Sequence, residues 1–544
     1  MNVWQEKKAT GNLLTDAYLR GDSHAADLYD YPSMGLETLR NRALELDQKY
    51  EDHRRKQVVS AIAAYMKRIT PGSAAVQSLL EKLSQRNSLA VVTGQQAGLF
   101  TGPLYTLYKA MSTVVIAKEY EAAIKRPVVP IFWIASEDHD FDEVASAWYV
   151  LDSGALARAH LHERPPLRTP VGHHDISRAE FLRMMSELSV SLPCGTYRED
   201  LLHDIDNAYN TASNMDDFFA LLLTKWLKDL PILLVNPLCR EFREPVRDAF
   251  FQCIVNPERF RDAAMFGARQ VVAKGFTPQV DIQPQHSLLY LIDEGRRCAL
   301  DVAPDDKDTF ILRDAGKRLT KADLLERLEQ NPQDFSAGVL YRPVVQDFLL
   351  PVLTYVGGAA EIAYHGMMKE VFHAASRKMP PLRLRQRICV IPRRVSRALL
   401  HYEVELEEAL KRDVLEDVLM RDFNPSIDDV ILTIQKEVVQ AVQARMEYFT
   451  AIDDDLLQAV MRTEHALRQD LARLQGRAHK TLRRNRSELV AALTMVSAWL
   501  RPHGTEQERV LSPLSVIAKY GLDFLAQVAA RPSPPWDEIV YYRW

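Results

Sequence analysis

Between residues 34 and 86 apolar side chains return every three or four positions. They fall at Leu36, Leu39, Leu44 and Leu46, then at Val58, Val59, Ile62, Ala63 and Met66, with charged residues between. That period predicts helix. The rhythm changes at 89–93, a Leu-Ala-Val-Val-Thr run ending at Gly94. Continuous apolarity of that length predicts a strand buried on both faces. Helical spacing returns over 104–123, and 127–135 (Pro-Val-Val-Pro-Ile-Phe-Trp-Ile-Ala) predicts a second buried strand, stopping at the polar string 136–143. Strand, glycine turn, helix, strand is a βαβ unit, and it predicts an α/β fold with a parallel sheet covered by helices.

Further strands are expected at 232–236, 350–356 and 388–391, so far apart that insertions must interrupt the sheet. Residues 152–180 are rich in Pro and His, while 275–315 alternate at 288–292 and 309–312; both predict modules inserted into one core. The expected division is core over 1–150, insertion over 151–180, core over 181–255, insertion over 256–335 and core over 336–400. From 402 to 500 only Pro425 and Gly476 break a helical pattern. There Leu467, Leu471, Leu474, Ala478 and Thr481 keep the 4-3-4-3 spacing of a coiled-coil seam, with 427–446, extending toward Thr450, as antiparallel partner. Residues 401–500 are therefore expected to be an α-helical coiled coil that Arg501-Pro-His-Gly504 ends. The segment 501–544 carries Leu514, Ile517, Phe524 and Leu525 and is expected to return to the core.

Composition narrows the class without naming a function. The 544 residues exceed what one core of roughly 250–300 residues holds, and 47% hydrophobic with 26% charged is ordinary for a globular chain. A net charge of -5 lacks the basic footprint of a nucleic-acid binder, so small molecules or proteins are the expected partners. Five cysteines (Cys194, Cys239, Cys253, Cys298 and Cys389) form no CxxC pair and read as reduced thiols of a cytoplasmic protein. The N-terminus has no signal-peptide pattern, and the apolar run 127–135 is about half the length of a membrane span, so no membrane role is expected.

Three segments can carry chemistry. TGQQAGLFTGPLYTLYK (93–109) lies where a strand feeds a helix, the ligand crevice of an open α/β sheet. Gly94, Gly98 and Gly102 allow close backbone approach, Thr101 is placed to cap the helix over Pro103, and free N–H groups there favour an anion. The string is neither GxGxxG nor GxxxxGK[ST], and a tight turn without ligand gives the same composition. FWIASEDHDFDE (132–143) crowds carboxylates and His139 at a strand end. His139 suits general acid or base work, Asp138, Asp140 and Asp142 suit a divalent cation, and a solvated loop of capping acids would look the same. RPVVQDFLLPVLTYVGGAAEIAYH (342–365) sets Arg342, Gln346 and Asp347 before a strand ending at Gly357 and Gly358, with Glu361, Tyr364 and His365 at helical spacing. A basic band (Arg462, Arg468, Arg473, Arg477, Lys480, Arg483, Arg484 and Arg486, against Glu464 and Asp470) fits either a phosphate-bearing ligand or a solvated face. The pair His173-His174 reads as loop.

These three strings, with LRPHGTEQERVLSPL (500–514), resemble the BshC family, which adds cysteine in bacillithiol biosynthesis. The resemblance runs from GDSHAADLYDY (21–31) to 519–524. It implies a Rossmann-like core with two connecting insertions and a coiled-coil domain that makes a homodimer. The implied reaction joins the carboxyl of cysteine to the amine of glucosaminyl-malate. One departure is Gly357-Gly-Ala-Ala360, where the family continues Gly-Gly-Pro-Gly, and it alters backbone freedom at that turn.

Amide formation in water needs an activated acid, so ATP with Mg²⁺ is expected, through an acyl-adenylate or acyl-phosphate. The expected arrangement rests phosphates or a carboxylate on Gly94, Gln95, Gln96, Gly98, Thr101 and Gly102. His139 deprotonates the ammonium, Asp138 and Asp140 orient it or bind Mg²⁺, and Lys109 and Arg342 meet developing charge. Gln346, Asp347, Gly357, Gly358, Glu361 and His365 complete the expected binding set. The HIGH and KMSKS signatures of class I adenylate-forming synthetases are absent, and no cysteine lies in the three segments to form a thioester. A nucleotidyl-transferring enzyme and a coiled-coil scaffold on the same core are the other readings.

Overall fold

The computed structural model describes every residue except Met1, Ser33, Asp314, Asn424 and Trp544. The chain divides into two compact units, one of residues 1–149, 157–389 and 508–542, the other chiefly residues 390–507.

The first unit is built on five strands, here numbered in chain order: β1 (Leu89–Gln95), β2 (Val128–Ile134), β3 (Leu233–Val235), β4 (Val352–Gly357) and β5 (Leu382–Leu384). Their order across the sheet is β5-β4-β1-β2-β3, and every neighbouring pair is parallel. Read from the far edge this is 3-2-1-4-5, the doubly wound order whose direction of winding reverses between β1 and β4. β1, β2 and β4 are almost wholly buried, as continuous apolar runs require. Thr93 Oγ1 donates to the Val356 carbonyl at 2.7 Å, fastening β1 to β4.

The predicted helices over 34–86 are α1 (Leu36–Lys49), α2 (Asp52–Ile69) and α3 (Ala74–Ser84), the last capped by Ser73. Helix α4 (Leu104–Ile124) joins β1 to β2. Leu39, Ala43 and Leu46 of α1 and Ile116, Ala117 and Tyr120 of α4 pack with Leu89, Val91, Val128, Leu353 and Val356 of the sheet. Residues 286–337 form an antiparallel five-stranded sheet of their own, which includes the strands expected at 288–292 and 309–312. The strand expected at 388–391 exists as Arg387–Ile391, but it lies in a separate three-stranded sheet with Asn2–Lys7 and Glu538–Arg543. Leu382–Leu384, too short to signal itself, takes the edge of the main sheet.

The segment before β4 is a helix, α6 (Arg342–Leu349), counted after α5 (Met215–Trp226), and not a strand lead-in. That changes the reading of Gln346 and Asp347. Both are buried, and Asp347 is held by Arg42 of α1 and by Arg377 Nε at 2.5 Å. Arg42 also donates to the Val352 carbonyl at 3.0 Å, to Lys378 O at 3.1 Å and to Glu45 at 3.0 Å. Asp347 is thus an anchor between distant segments. Beyond β4 follows α7 (Ala359–His365).

The second unit is helical throughout its longer part. α8 (Ile427–Gln443) and α9 (Asp454–Asn485) are antiparallel: Asp428, at the start of α8, accepts from Gln475 (2.6 Å) and His479 (2.7 Å) of α9. The seam is rotated from the predicted one. Leu471 and Ala478 are half-buried and Leu482 buried, but Leu467 is 38% and Leu474 52% exposed, and Thr481 is exposed. Much of the basic band is neutralised locally: Arg468 pairs with Glu464, Arg473 with Asp470, Arg483 with Glu416 and Arg486 with Asp422. Gln507 closes the base of the unit through Val390 N (2.8 Å), Val390 O (2.8 Å) and Trp499 O (2.6 Å).

Removing one partner from a buried ion pair strands the other charge. Arg42→Met is expected to lower unfolding free energy by about 3 kcal/mol, read as a lower denaturant midpoint at unchanged slope.

Candidate functional site

The reversal between β1 and β4 opens a crevice at the carboxyl ends of the strands, where this topology places ligands. A cavity of about 450 Å³ lies there, within the size range of small-molecule sites. Its floor is Gly94 and Gln95 at the end of β1 and Gly358, Ala359 and Ala360 after β4. Lys109 and Tyr105 reach it from α4, and Glu361 and Tyr364 from α7. The turn after β2 supplies Glu137, Asp138, His139 and Glu143. Arg342, Arg385 and Arg509 come from the later chain, and Tyr290, Arg297, Gly338 and Val339 from the antiparallel module and its exit.

At the centre Lys109 Nζ meets Glu361 Oε2 at 2.5 Å and donates to Gly94 O (2.9 Å) and Gln95 Oε1 (2.8 Å). Glu361 also accepts from the Tyr355 hydroxyl and the Gly358 N–H, each at 2.7 Å. Burial alone would lift this carboxyl, but the Lys109 charge and these donors outweigh it and hold it below the usual carboxylate range. The Nε of Arg342 is buried with no hydrogen-bond partner, while one terminal nitrogen approaches Tyr364 Oη at 3.3 Å.

Around the turn after β2, Gln96 Nε2 donates to both Asp138 (3.1 Å) and Glu143 (2.7 Å). Burial, then the Asp138 and Asp140 charges, push the Glu143 carboxyl up, making it a stronger base than an ordinary carboxylate. His139 is held below the usual histidine value by burial and then by Arg297. Arg297 approaches its Nδ1 at 3.4 Å, and because a guanidinium only donates, that contact needs a bare Nδ1 with the ring proton on Nε2. A neutral imidazole in that contact carries its one N–H at Nε2. Arg297 itself lies over the Tyr290 ring at 3.9 Å and is fixed by Ser336 and Ala337.

Nine of the expected residues line this cavity: Gly94, Gln95, Gln96, Lys109, Asp138, His139, Arg342, Gly358 and Glu361. Others have different work. Gly98 and Gly102 press on each other, so that a Cβ at Gly98 would lie 2.8 Å from the Gly102 Cα. Phe100 and Thr101 have positive φ, the Thr101 hydroxyl is buried without a partner, and no side chain caps α4. The Leu104 N–H is taken by Leu511 O at 2.7 Å, so this helix start offers an anion less than the sequence suggested. Asp140 caps the helix Phe141–Val144. Gly357 packs against Tyr355 and Glu361. His365 is fully buried, with Nδ1 on Glu361 O at 2.7 Å, and burial brings it down to about 4. Among the described residues no group of three or more His, Cys, Asp or Glu side chains converges to hold a metal ion.

Tyr105 was not singled out in the sequence, although it stands one helical turn before Lys109 in the same string. Nor were Arg297, Tyr290 and Arg385, because nothing in their local sequence separates them from surface arginines and core tyrosines.

Glu361 titrates lower in the folded chain than unfolded. Its contribution is therefore complete above the ordinary carboxylate value and is lost as pH falls through the folded value. Glu361→Gln is expected to be less stable than the parent by about 3 kcal/mol at pH 7, with the gap closing toward pH 3 when both are unfolded in denaturant across that range.

Comparison with known proteins agrees with this architecture. Residues 1–386 match the family model "Bacillithiol biosynthesis BshC, N-terminal Rossmann-like domain", and residues 388–539 match "Bacillithiol biosynthesis BshC, C-terminal coiled-coil domain". The chain is 27% identical over 530 residues to "Putative cysteine ligase BshC" of Bacillus cytotoxicus, covering 96% of both. It is 25% identical over 519 residues to the protein of that name from Bacillus thuringiensis subsp. konkukian, covering 95% of both. With family models spanning both units, the chain belongs to the BshC family of bacillithiol biosynthesis.

Proposed function

We propose that this chain is a ligase that joins the carboxyl of cysteine to the amine of glucosaminyl-malate, forming the amide of bacillithiol. The observation that carries the reading is the pairing, in one cavity, of the partly unpartnered Arg342 with a carboxylate turn that includes a basic Glu143. A substrate bearing both carboxylates and an ammonium matches that pairing. Asp138 and Glu143, bridged by Gln96, orient the ammonium, and Glu143 takes its proton. The Nε2–H of His139 donates to the oxygen of the reacting carbonyl.

ATP, when bound, supplies the activation that the uphill amide bond needs. Arg342 and Arg509, which line the cavity, would hold its phosphates, a task the close-packed Gly98 and Gly102 suit less well. Mg²⁺ keeps several waters and would be held chiefly by the nucleotide phosphates, so that Asp138 and Glu143 stay available for the ammonium. The exposed Leu467 and Leu474 on α9 support a homodimer made through the helical unit. Five cysteines, none of them in a disulfide, suit a cytoplasmic enzyme, and among the described residues no helix is long and apolar enough to cross a membrane.

The direct test gives purified protein cysteine, glucosaminyl-malate, ATP and Mg²⁺, with bacillithiol and AMP or ADP followed by mass spectrometry. Absence of bacillithiol with every component present overturns the ligase reading. With product forming, Glu143→Gln is expected to lower kcat about a hundredfold or more. His139→Gln, which keeps an N–H, is expected to lose about tenfold or less. Asp138 raises the proton affinity of both Glu143 and His139. In Asp138→Asn the acid limb of the pH–rate profile is therefore expected at lower pH than in the parent.

A further inference from the structure

Beneath the turn that carries Glu137, Asp138 and His139 lies a buried polar chain that the proposed reaction does not use. Ser136, just past β2 and fully buried, donates from Oγ to Asn236 Oδ1 at 2.7 Å. Asn236, the residue after β3, also accepts at Oδ1 from the Leu238 N–H at 3.1 Å. That backbone N–H can only donate, so the amide orientation is fixed and Nδ2 must point the other way. It donates to Asp216 Oδ2 at 3.0 Å, and Asp216 is 1% exposed in the first turn of α5. The other oxygen of Asp216 is buried with no partner.

A strap from the first insertion closes over the same point. Gly172 N donates to Ser136 O at 2.9 Å and Val171 N to Asp138 O at 2.6 Å, while Met215 N donates to His174 O at 2.9 Å. Gly172 must be glycine, since a Cβ there would come within 2.0 Å of Asp216 Oδ2. The turn after β2 is thus held from below by side chains and from outside by backbone, and the two holds meet where Gly172 packs on Asp216.

A buried carboxylate with one free oxygen and no cation in contact is costly. The ion pair nearby belongs to Asp217, whose Oδ1 takes Arg68 at 2.8 Å. Burial accordingly pushes the Asp216 carboxyl up to about 7, so near neutrality a large fraction carries a proton and makes hydrogen bonds only. A neutral acid in this place acts by shape and hydrogen bonding, which an amide can reproduce.

We infer that Asp216 is a positioning residue, acting through Asn236 and Ser136 to fix the Glu137–His139 turn against the cavity. This rests on the reading that the cavity is the reaction site, but its test does not need turnover.

The test follows the His139 imidazole by NMR in histidine-labelled full-length protein, the resonance being assigned with His139→Gln. Arg297, Asp138, Arg168 and Asp140 face that ring, and burial with Arg297 holds its midpoint below the ordinary value. In Ser136→Ala, which removes one hydroxyl, and in Asp216→Ala the turn is released. The midpoint is expected to rise by about 0.5 or more toward 6.5. In Asp216→Asn, which keeps an acceptor for Asn236, it stays at the parent value. An unchanged midpoint in folded Ser136→Ala, or a shift in Asp216→Asn as large as in Ser136→Ala, overturns the inference; should Asp216→Ala fail to fold, those two variants decide it. Where ligation is measurable, kcat in Ser136→Ala falls about tenfold with KM for cysteine within twofold. Failure of ligation in the parent chain touches the function and leaves the NMR result standing.

Discussion

Lys109 and Glu361 meet at the one place where the sheet changes its direction of winding. Strands β1 and β4 are neighbours there, yet their helices leave on opposite sides, so backbone alone leaves a gap at the strand ends. An ammonium on α4 and a carboxylate on α7 span it, and each is tied to main chain on its own side: Lys109 to Gly94 O, Glu361 to Gly358 N–H. The pair therefore fixes the separation of the two turns that floor the cavity. With Lys109 buried and Glu361 largely so, screening of the pair is weak and a ligand meets a preformed floor.

Such fastening recurs because the sheet is assembled from segments far apart in sequence. β3 ends at Val235 and β4 begins at Val352, with a whole antiparallel module between. Loop closure over those distances is entropically unfavourable, and non-local contacts must offset it. Arg42 with Asp347 and Arg377, Arg385 with Glu508, and Arg243 with Glu137 are all buried pairs between distant segments. Arg385 and Glu508 are joined by two hydrogen bonds, at 2.7 and 2.8 Å, and the same carboxylate accepts from Ile388 N at 3.1 Å. Apolar burial supplies the bulk of the stability, whereas these pairs select which segments meet.

The βαβ unit was readable because its signals are local: a buried strand is a continuous apolar run, and the long α4 has ordinary helix formers. The identity of the crevice was readable for the same reason, and with it Lys109, Asp138, His139, Arg342 and Glu361. What escaped depends on partners elsewhere in the chain. Asp347 looked like a crevice residue because it stands before a strand, but α6 turns it toward Arg42 and Arg377. His365 has the right spacing to share a face with Glu361, yet Tyr355 and Tyr364 stack around it and seal it in. The seam of α9 was misjudged by a rotation, since heptad spacing defines a stripe of small and apolar residues but not which neighbour covers it.

The glycines carry the sharpest lesson about mechanism. A glycine-rich strand–helix turn invites the expectation of phosphate on bare N–H groups, and here Gly98 and Gly102 instead serve each other while Leu511 occupies the helix start. With the Gly98, Gly102 and Leu104 N–H groups already bonded, side chains supply much of the polar lining, and those come from separated places: Arg342 before β4, Glu143 after β2, Arg297 from the module, Arg509 from the returning C-terminal segment. A site assembled this way cannot be complete until the insertions and the last segment have folded onto the core. The interruptions in the sequence are then part of the cavity itself, for Arg297 both supports His139 and closes the wall that Tyr290 begins.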